Sequence, residues 1–205
     1  MTCSVLLVCG SLQAMSANRA VLDIARREFS VLDDVTISNA VDIGSIPAFN
    51  PDTQHEPPPA VVDLRAQIAR SDAVLVATPE YAGSLPGALK NGLDWVVGSG
   101  ELYAKLVAVI SAGTSGGPYA RQHLIRTLTW QGAHVVAQLG IAAPRAKSDS
   151  AGRIVDPQTV EAVEGIARKL VRTVGMGADD RLELVRQVTA DVGVEAEHIA
   201  PVPQP

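Results

Sequence analysis

The chain has 205 residues, of which 47% are hydrophobic, 19% charged and 3% aromatic, a composition typical of one globular domain with an aliphatic core. Its 17 basic and 22 acidic residues give a net charge of −5, and it has no basic stretch of the kind that binds nucleic acid. No run approaches the roughly 20 apolar residues of a membrane span, and the N-terminal segment lacks the features of a signal peptide, so we expect a cytoplasmic protein.

The cysteines and histidines predict neither a disulfide nor a metal site. Cys3 and Cys9 would lie roughly 20 Å apart on one extended strand, whereas a disulfide needs about 4.4–6.8 Å between Cα atoms. Both cysteines are therefore expected to be buried apolar side chains. The four histidines show no spacing typical of metal ligands; they are at positions 55, 123, 134 and 198.

The first strand and its loop have the composition of an anion site. Ser4–Cys9 reads as a buried strand, and a helix is predicted from about Ala17 to Phe29. Hydroxyl and amide side chains at a helix N-terminus, as in Gly10–Asn18, suit a phosphate. The loop lacks the lysine of a phosphate-binding P-loop and the three glycines of a dinucleotide fingerprint. Ser16 could equally be a simple helix cap.

The middle of the chain holds the loop around which the site is predicted. After a weak strand at Val35–Ser38, the segment Asp42–Pro59 has five prolines and is expected to be a surface flap or a contact segment. A helix from about 60 to 69 precedes the buried strand Ala73–Ala77. The following loop, Thr78–Asn91, is expected to lead into a helix that ends near Val97.

The second half repeats the alternation of strands and helices. Strands are predicted at Lys105–Ile110 and Ala133–Ala137, and the loop Ser111–Gly117 between them is rich in glycine and hydroxyl groups. Helices are predicted at about 119–130, 158–174 and 179–189. The last helix has an apolar stripe that should pack on the domain or on a partner subunit.

Five strands alternating with helices predict a parallel, doubly wound α/β sheet in the order 2-1-3-4-5. The predicted division of the chain is a sheet domain over residues 1–175 and a C-terminal helix and tail over residues 176–205. In that strand order the loops after strands one, three and four lie at one edge of the sheet, where an elongated phosphorylated ligand would fit.

Two motifs in these loops resemble the NADPH-dependent FMN reductase family of the flavodoxin-like fold. The first motif of that family is matched by the sequence Gly-Ser-Leu-Gln-Ala-Met-Ser-Ala-Asn at residues 10–18. The second is matched by Pro-Glu-Tyr-Ala-Gly-Ser-Leu-Pro-Gly-Ala-Leu-Lys-Asn at residues 79–91, followed by Asp94 and Trp95. A third and looser match is the loop Ser111–Gly117 with the Gln-His-Leu sequence at 122–124.

The resemblance implies a flavin site and no catalytic side chain. Ser11, Ser16 and Asn18 would hold the FMN phosphate, and residues from the second and third loops would line the ring. Tyr81 could instead pack structurally, and Glu80 is expected to fix its loop rather than act as an acid. The candidate FMN-binding residues are Ser11, Gln13, Ser16, Ala17, Asn18, Pro79, Glu80, Tyr81, Ala82, Gly83, Ser111, Gly113, Thr114, Ser115 and Gly116.

Two positions depart from the family motifs. Gln13 stands where the family has a phosphate-binding arginine, and Ala82 stands where it has an asparagine. Loss of that arginine removes a charge-assisted contact, for which Arg19 is the sequence candidate to compensate. A 2′-phosphate of NADPH could meet Arg19, Arg121 or Arg126, and the sequence does not choose among them.

The activity implied by the resemblance is FMN-dependent oxidation of NADPH or NADH with a small molecule, such as a quinone or free flavin, as electron acceptor. In such enzymes the flavin supplies the chemistry and the protein supplies binding and orientation. The alternative is a non-enzymatic, flavodoxin-like electron carrier, against which the modest charge of −5 argues. Family members usually associate, so a homodimer or homotetramer is expected.

Overall fold

Aliphatic strands and amphipathic helices alternate throughout the computed structural model, which describes residues 2–190 and 192–203. The strands are β1 (Cys3–Cys9), β2 (Val35–Asn39), β3 (Ala73–Thr78), β4 (Leu106–Gly113) and β5 (His134–Ala142). The helices are α1 (Ala17–Val31), α2 (Pro59–Arg70), α3 (Gly87–Asp94), α4 (Pro118–Trp130), α5 (Pro157–Val174) and α6 (Ala178–Ala190).

The five strands form one parallel sheet in the order β2-β1-β3-β4-β5, which confirms the predicted fold class. The fully buried strand β3 reads Ala-Val-Leu-Val-Ala-Thr, as expected for a strand covered on both faces. Alternate side chains of the strands enter two apolar cores. One core is closed by α2, α3 and α4, and the other by α1 and α5.

The last two strands extend beyond their predicted ends. β4 continues to Gly113 because β5 pairs with it as far as Ala142, so that Gly113 lies opposite Ala142. Ser111 is therefore a strand residue, fully buried, and not part of a loop as predicted. The polar and glycine residues at the ends of β4 and β5 have the composition of a loop, but pairing between the two strands makes them strand residues.

Helix α3 ends earlier than predicted. From Asp94 onward the chain continues as tighter turns, in which Val96 N donates to Leu93 O and Val97 N donates to Asp94 O. The proline-rich segment 42–59 packs against this helix: Phe49 N donates to Asn91 Oδ1 at 2.7 Å and Trp95 Nε1 donates to Pro47 O at 2.8 Å. Segment 42–59 thus packs against α3 of its own chain, and its role as a surface flap or a contact segment stays a prediction.

The C-terminal helix α6 packs against β5, with Val185 and Val188 buried in the two cores. Of the two predicted locations for its apolar stripe, the domain itself and a partner subunit, this packing corresponds to the domain. The division of the chain at residue 175 stays a prediction, and residues 191, 204 and 205 of the predicted C-terminal segment lie outside the described residues.

The cysteines differ in burial. Cys3 is buried, as predicted, and burial raises the pKa of its thiol. Cys9 is only partly buried, and its thiol donates to Ser11 O at 3.6 Å. Both are free thiols. Within residues 2–190 and 192–203, no helix has the length and apolarity needed to cross a bilayer. No group of three or more possible metal ligands occurs in the same residues.

His134 predicts that stability falls in mild acid. The side chain has no exposed surface, its Nε2 lies 2.6 Å from Ala200 O, and its Nδ1 has no hydrogen-bond partner among the described residues. Burial lowers the pKa of His134; the hydrogen bond to Ala200 O opposes this shift, and the charge of Arg181 adds to it. The unfolded chain then binds more protons below about pH 6.5, so the free energy of unfolding should decrease by up to about 1.4 kcal/mol per pH unit in that range.

Denaturant unfolding of the wild type and the His134→Gln variant between about pH 7.5 and pH 5.5 measures this effect. The variant cannot titrate at this position, so its unfolding free energy should depend less on pH than that of the wild type. Equal pH dependence in both proteins would contradict the assignment to His134.

Candidate cofactor site

A cavity of about 530 Å³ lies at the edge of the sheet where the strands end, a size typical of small-molecule sites. Four segments line it: the loop after β1, the loop after β3, the end of β4, and the segment that follows β5. An apolar void of about 30 Å³ lies between the sheet and its helices, but it is a gap in the core with no polar lining.

The loop after β1 brings hydroxyl groups to the N-terminus of α1. Ser16 caps this helix, since its Oγ accepts from Asn18 N at 3.2 Å, and Ser11 Oγ accepts from Gln13 N at 3.3 Å. The helix dipole places partial positive charge at this end, and the first N–H groups of a helix have no partner within it. The arrangement suits an anion, and it also satisfies the capping alternative for Ser16.

Asn18 has a structural contact that the sequence did not predict. Its Nδ2 donates to Ala112 O at 3.0 Å, and its Oδ1 accepts from Ala112 N at 2.9 Å. The side chain is buried and joins the start of α1 to the end of β4. Asn18 thus fixes the loop after β1 against the end of β4. Its contact with a phosphate stays a prediction.

The loop after β3 makes a tight hairpin at Tyr81. Tyr81 and Ser84 exchange two backbone hydrogen bonds of 2.9 and 3.0 Å, and both Ala82 and Gly83 have positive φ. Turns of this kind favour asparagine and glycine, which explains why the family motif has asparagine where this chain has Ala82. Ser84 Oγ lies 2.9 Å from His123 Nδ1, so the hairpin is attached to α4.

Glu80 attaches the same loop to α4 at a second point. Its Oε2 accepts from the backbone nitrogens of Tyr119 and Ala120, at 2.8 and 2.9 Å, in the first turn of that helix. The carboxylate also interacts favourably with the helix dipole. This geometry is that of a residue that fixes its loop, which was the expectation for Glu80.

Glu80 variants can separate this role from acid catalysis. Glu80→Ala should lower the free energy of unfolding by about 1–2 kcal/mol, because two N–H groups lose their acceptor. Glu80→Gln retains an acceptor oxygen and should lose about half as much. Turnover of the FMN-saturated Glu80→Gln protein should stay within about threefold of wild type, whereas an acid catalyst would lose about 100-fold or more. Chemical unfolding and steady-state kinetics provide the two readouts.

The end of β4 forms the third wall, where Ala112, Gly113 and Thr114 line the cavity. An added Cβ at Gly113 would meet no atom within 4 Å, so the backbone here is open to a ligand. The following loop turns back onto β5, with Ser115 bridged to Ala142.

The fourth wall was not predicted. It consists of Pro144, Arg145 and residues 148–152, which follow β5. Asp149 accepts hydrogen bonds from Ala151 N, from Arg153 N and from Arg153 Nε, and the contact with Arg153 lowers the pKa of the carboxyl group. The sequence does contain a signal for this wall, the polar run Ser-Asp-Ser-Ala-Gly at residues 148–152. Because the last strand was predicted to end at Ala137, this run lay too far along the chain to be assigned to the same edge of the sheet as the other loops.

The predicted FMN-binding residues divide into two groups. Ten of them line the cavity: Ser11, Gln13, Ser16, Ala17, Asn18, Pro79, Glu80, Tyr81, Gly113 and Thr114. The others lie outside its lining: Ala82 and Gly83 at the hairpin tip, Ser111 inside β4, and Ser115 and Gly116 in the turn onto β5.

The three arginines suggested for a phosphate lie elsewhere. Arg19 lines a neighbouring polar cavity with Asp23 and Arg26. Arg121 donates to Gly116 O and to Gln138 Oε1. Arg126 lines a groove between α3 and α4.

Comparison with known proteins identifies the family to which this chain belongs. The model of the NADPH-dependent FMN reductase family matches residues 3–148. The chain belongs to the NADPH-dependent FMN reductase family. An NAD(P)H-dependent FMN reductase of Pseudomonas aeruginosa is 34% identical over 167 residues, which are 78% of this chain and 89% of that protein. An NAD(P)H:quinone oxidoreductase of Solanum tuberosum is 31% identical over 169 residues, 78% of this chain and 86% of that protein.

Solved structures of related proteins agree with this assignment. The flavoenzyme NAD(P)H:acceptor oxidoreductase FerB of Paracoccus denitrificans has a TM-score of 0.70 at 26% identity, and the match covers 84% of this chain and 97% of FerB. A flavodoxin of Streptococcus pneumonia, at 15% identity and a TM-score of 0.54, shares the fold alone. The named relatives favour a reductase over the electron-carrier alternative.

The residues at the site fit the FMN that this family uses. A phosphate needs N–H and hydroxyl donors, which the N-terminus of α1 and the serines at 11 and 16 supply. A flat ring needs open backbone and an aromatic or apolar wall, which Gly113 and Tyr81 supply. The cavity volume of about 530 Å³ is large enough for such a ligand.

Proposed function

We propose that this protein binds FMN in the 530 Å³ cavity and uses it to oxidise NADPH or NADH with a quinone or a similar flat molecule as acceptor. Support for the acceptor class comes from relatives named quinone reductase and 2-hydroxy-1,4-benzoquinone reductase. The observation that carries the proposal is the convergence of the two family motifs, at residues 10–18 and 79–91, on one cavity at the carboxyl edge of the sheet.

In this proposal the phosphate lies at the N-terminus of α1, beside Ser11 and Ser16. The ring lies between the loop of Pro79, Glu80 and Tyr81 and the end of β4 at Gly113. Tyr81 is 55% exposed and lines the cavity, so its ring can form a wall on the solvent side, where nicotinamide and acceptor would approach.

Bound FMN supplies the redox chemistry, in which a hydride is accepted from the nicotinamide and two electrons are passed to the acceptor. The side chains of this chain contribute binding and orientation. Glu80 and Ser84 hold the β3 loop against α4, and Asn18 holds the α1 loop against β4, so the two walls stay at a fixed separation. Backbone N–H groups of these loops would stabilise negative charge on the reduced ring.

Titration of the flavin-free protein with FMN, followed by quenching of flavin fluorescence, tests the first half of the proposal. Saturable quenching is expected, and the FMN-loaded protein should then oxidise NADPH or NADH when a quinone is present. Absence of quenching, or absence of oxidation with both nicotinamides at saturating FMN, would contradict it. Reduction by a partner protein alone would favour the carrier.

We also propose a cytoplasmic homo-oligomer, most simply a dimer. Among the described residues, two exposed large hydrophobic side chains, Val97 and Trp130, line an open groove between α3 and α4, as expected of a subunit contact. The two free cysteines are in keeping with a reducing compartment. Light scattering coupled to size-exclusion chromatography measures the oligomeric state.

A further inference from the structure

The cavity carries one arginine on its wall, and that arginine lies on the segment that sequence reasoning missed. Arg145 follows β5, is exposed, and is the single lysine or arginine among the described residues that line the cavity. Its guanidinium group makes no hydrogen bond or ion pair with any residue in the described ranges 2–190 and 192–203. An unpaired cation on a residue that lines the cavity is available for an anionic ligand.

The backbone that carries Arg145 is firmly attached to the rest of the site. Ala143 N donates to Gly113 O at 3.1 Å and to Thr114 O at 3.3 Å, which joins the turn to the third wall of the cavity. Ser148 Oγ donates to Pro144 O at 2.9 Å and closes the turn on its other side. The position of Arg145 relative to the cavity is therefore determined by the fold, while its side chain remains unpaired.

The acidic groups on the cavity wall do not neutralise Arg145. Glu80 accepts two hydrogen bonds from the N-terminus of α4. Asp149 is paired with Arg153, whose Nη2 lies 2.7 Å from Asp149 Oδ2. Both carboxylates are thus engaged with other groups and neither contacts the Arg145 guanidinium, which leaves that cation and the positive end of α1 available to an anion. A dianionic phosphate is the complementary ligand.

We propose that Arg145 binds the phosphate of FMN and replaces the motif arginine that is missing at Gln13. This inference rests on the proposed function. Gln13 and Arg145 line the same cavity from different segments, so a cation at either position can reach the ligand. A guanidinium group can donate two parallel, charge-assisted hydrogen bonds to phosphate oxygens, whereas the glutamine side chain is neutral. Arg19, the candidate from the sequence, lines a different cavity.

The test compares FMN with riboflavin, which lacks the phosphate, in fluorescence titrations of flavin-free wild type and Arg145→Gln. Arg145→Gln should raise the Kd for FMN about tenfold and leave the Kd for riboflavin unchanged. The FMN affinity of the variant should also depend less on salt concentration, because one charge contact is lost. Adding Gln13→Arg to Arg145→Gln should recover most of the lost FMN affinity.

Two control variants remove a positive charge elsewhere. Lys147→Gln lies two residues from Arg145 and outside the cavity lining, and Arg19→Gln lies in the neighbouring cavity. Neither should change the Kd for FMN by more than about twofold, as expected for screened charges without direct contact.

Several outcomes would overturn the assignment of Arg145. These are an unchanged Kd for FMN in Arg145→Gln, an equal loss for riboflavin, or an effect of the same size in Arg19→Gln. A rise confined to the KM for NADPH, with unchanged FMN affinity, would assign the arginine to the phosphates of the nicotinamide cofactor instead. Wild-type protein that binds no FMN would contradict the proposed function itself, which distinguishes the two failures.

Discussion

Gly117→Ala should lower the free energy of unfolding by about 2–5 kcal/mol and weaken FMN binding. Gly117 has a φ of +59°, where an alanine is disfavoured by roughly 1–2 kcal/mol. An added Cβ would also lie 1.9 Å from Ser111 Oγ and 2.7 Å from Ser111 Cβ, and overpacking of this kind costs about 1–3 kcal/mol. Gly117 precedes α4, whose first turn holds Glu80, so displacement here should be transmitted to the loop at Tyr81.

A matched glycine separates the two contributions. Gly100 has a φ of +81°, and an added Cβ there would meet no atom within 4 Å, so Gly100→Ala carries the backbone cost without the overlap. Gly100→Ala should lower the free energy of unfolding by about 1–2 kcal/mol, and denaturant unfolding measures both variants.

Adding Ser111→Gly to Gly117→Ala removes the overlapping atoms and should recover part of the loss. The recovery is a coupling energy, obtained from the double-mutant cycle with both single variants. Equal losses in Gly117→Ala and Gly100→Ala, with no recovery, would contradict the close contact between Gly117 and Ser111.

The fold could be predicted from the sequence because each strand carries its own signal. The aliphatic runs in β1, β3 and β4 are those of strands buried on both faces, and helical spacing in α1 and α5 supplies the layers that cover them. Parallel strands joined by helices then leave few topologies, and the order 2-1-3-4-5 is one of the two common ones.

The limits of prediction lie where pairing between strands, and not local composition, decides the structure. Ser111 and Gly113 have the composition of a loop, yet they continue β4 because β5 extends beside them to Ala142. With β5 predicted to end at Ala137, the segment containing Arg145 has the pattern of a plain connector. Its place in the cavity depends on five further strand residues that no local pattern indicates.

Asn18 shows the same limit within a motif. The motif places an asparagine at the start of α1, and the simplest role from sequence is contact with the phosphate. The structure shows that the N–H and C=O groups of Ala112 need this side chain as a hydrogen-bond partner. β3 ends at Thr78, which lies opposite Ser111, so the next residue of β4, Ala112, has no neighbouring strand on that side. The Asn18 amide takes the place of the missing strand.

Asn18→Ala should therefore lower the free energy of unfolding by about 2–4 kcal/mol, because both the N–H and the C=O of Ala112 would lose their partners in a buried position. The affinity for FMN should fall as well, since the first loop would no longer be fixed to β4. Denaturant unfolding and the fluorescence titration measure the two effects. Asn50→Ala is a suitable control, because the exposed Asn50 side chain accepts one local hydrogen bond from Asp52 N.

Asn18→Asp gives a sharper test through pH. In this variant a protonated carboxyl group can donate to Ala112 O as the Asn18 amide does, whereas a carboxylate would face that carbonyl oxygen without a proton. Burial and the loss of donation to Ala112 O should therefore raise the pKa of the introduced carboxyl group above about 3.9, its value in the unfolded chain, against the opposing effect of the α1 dipole. The stability of Asn18→Asp relative to wild type should then be greatest below about pH 3.9 and should fall as the pH rises through the folded-state pKa. A difference from wild type that does not change with pH would contradict the expectation that donation to Ala112 O dominates the pKa of this group.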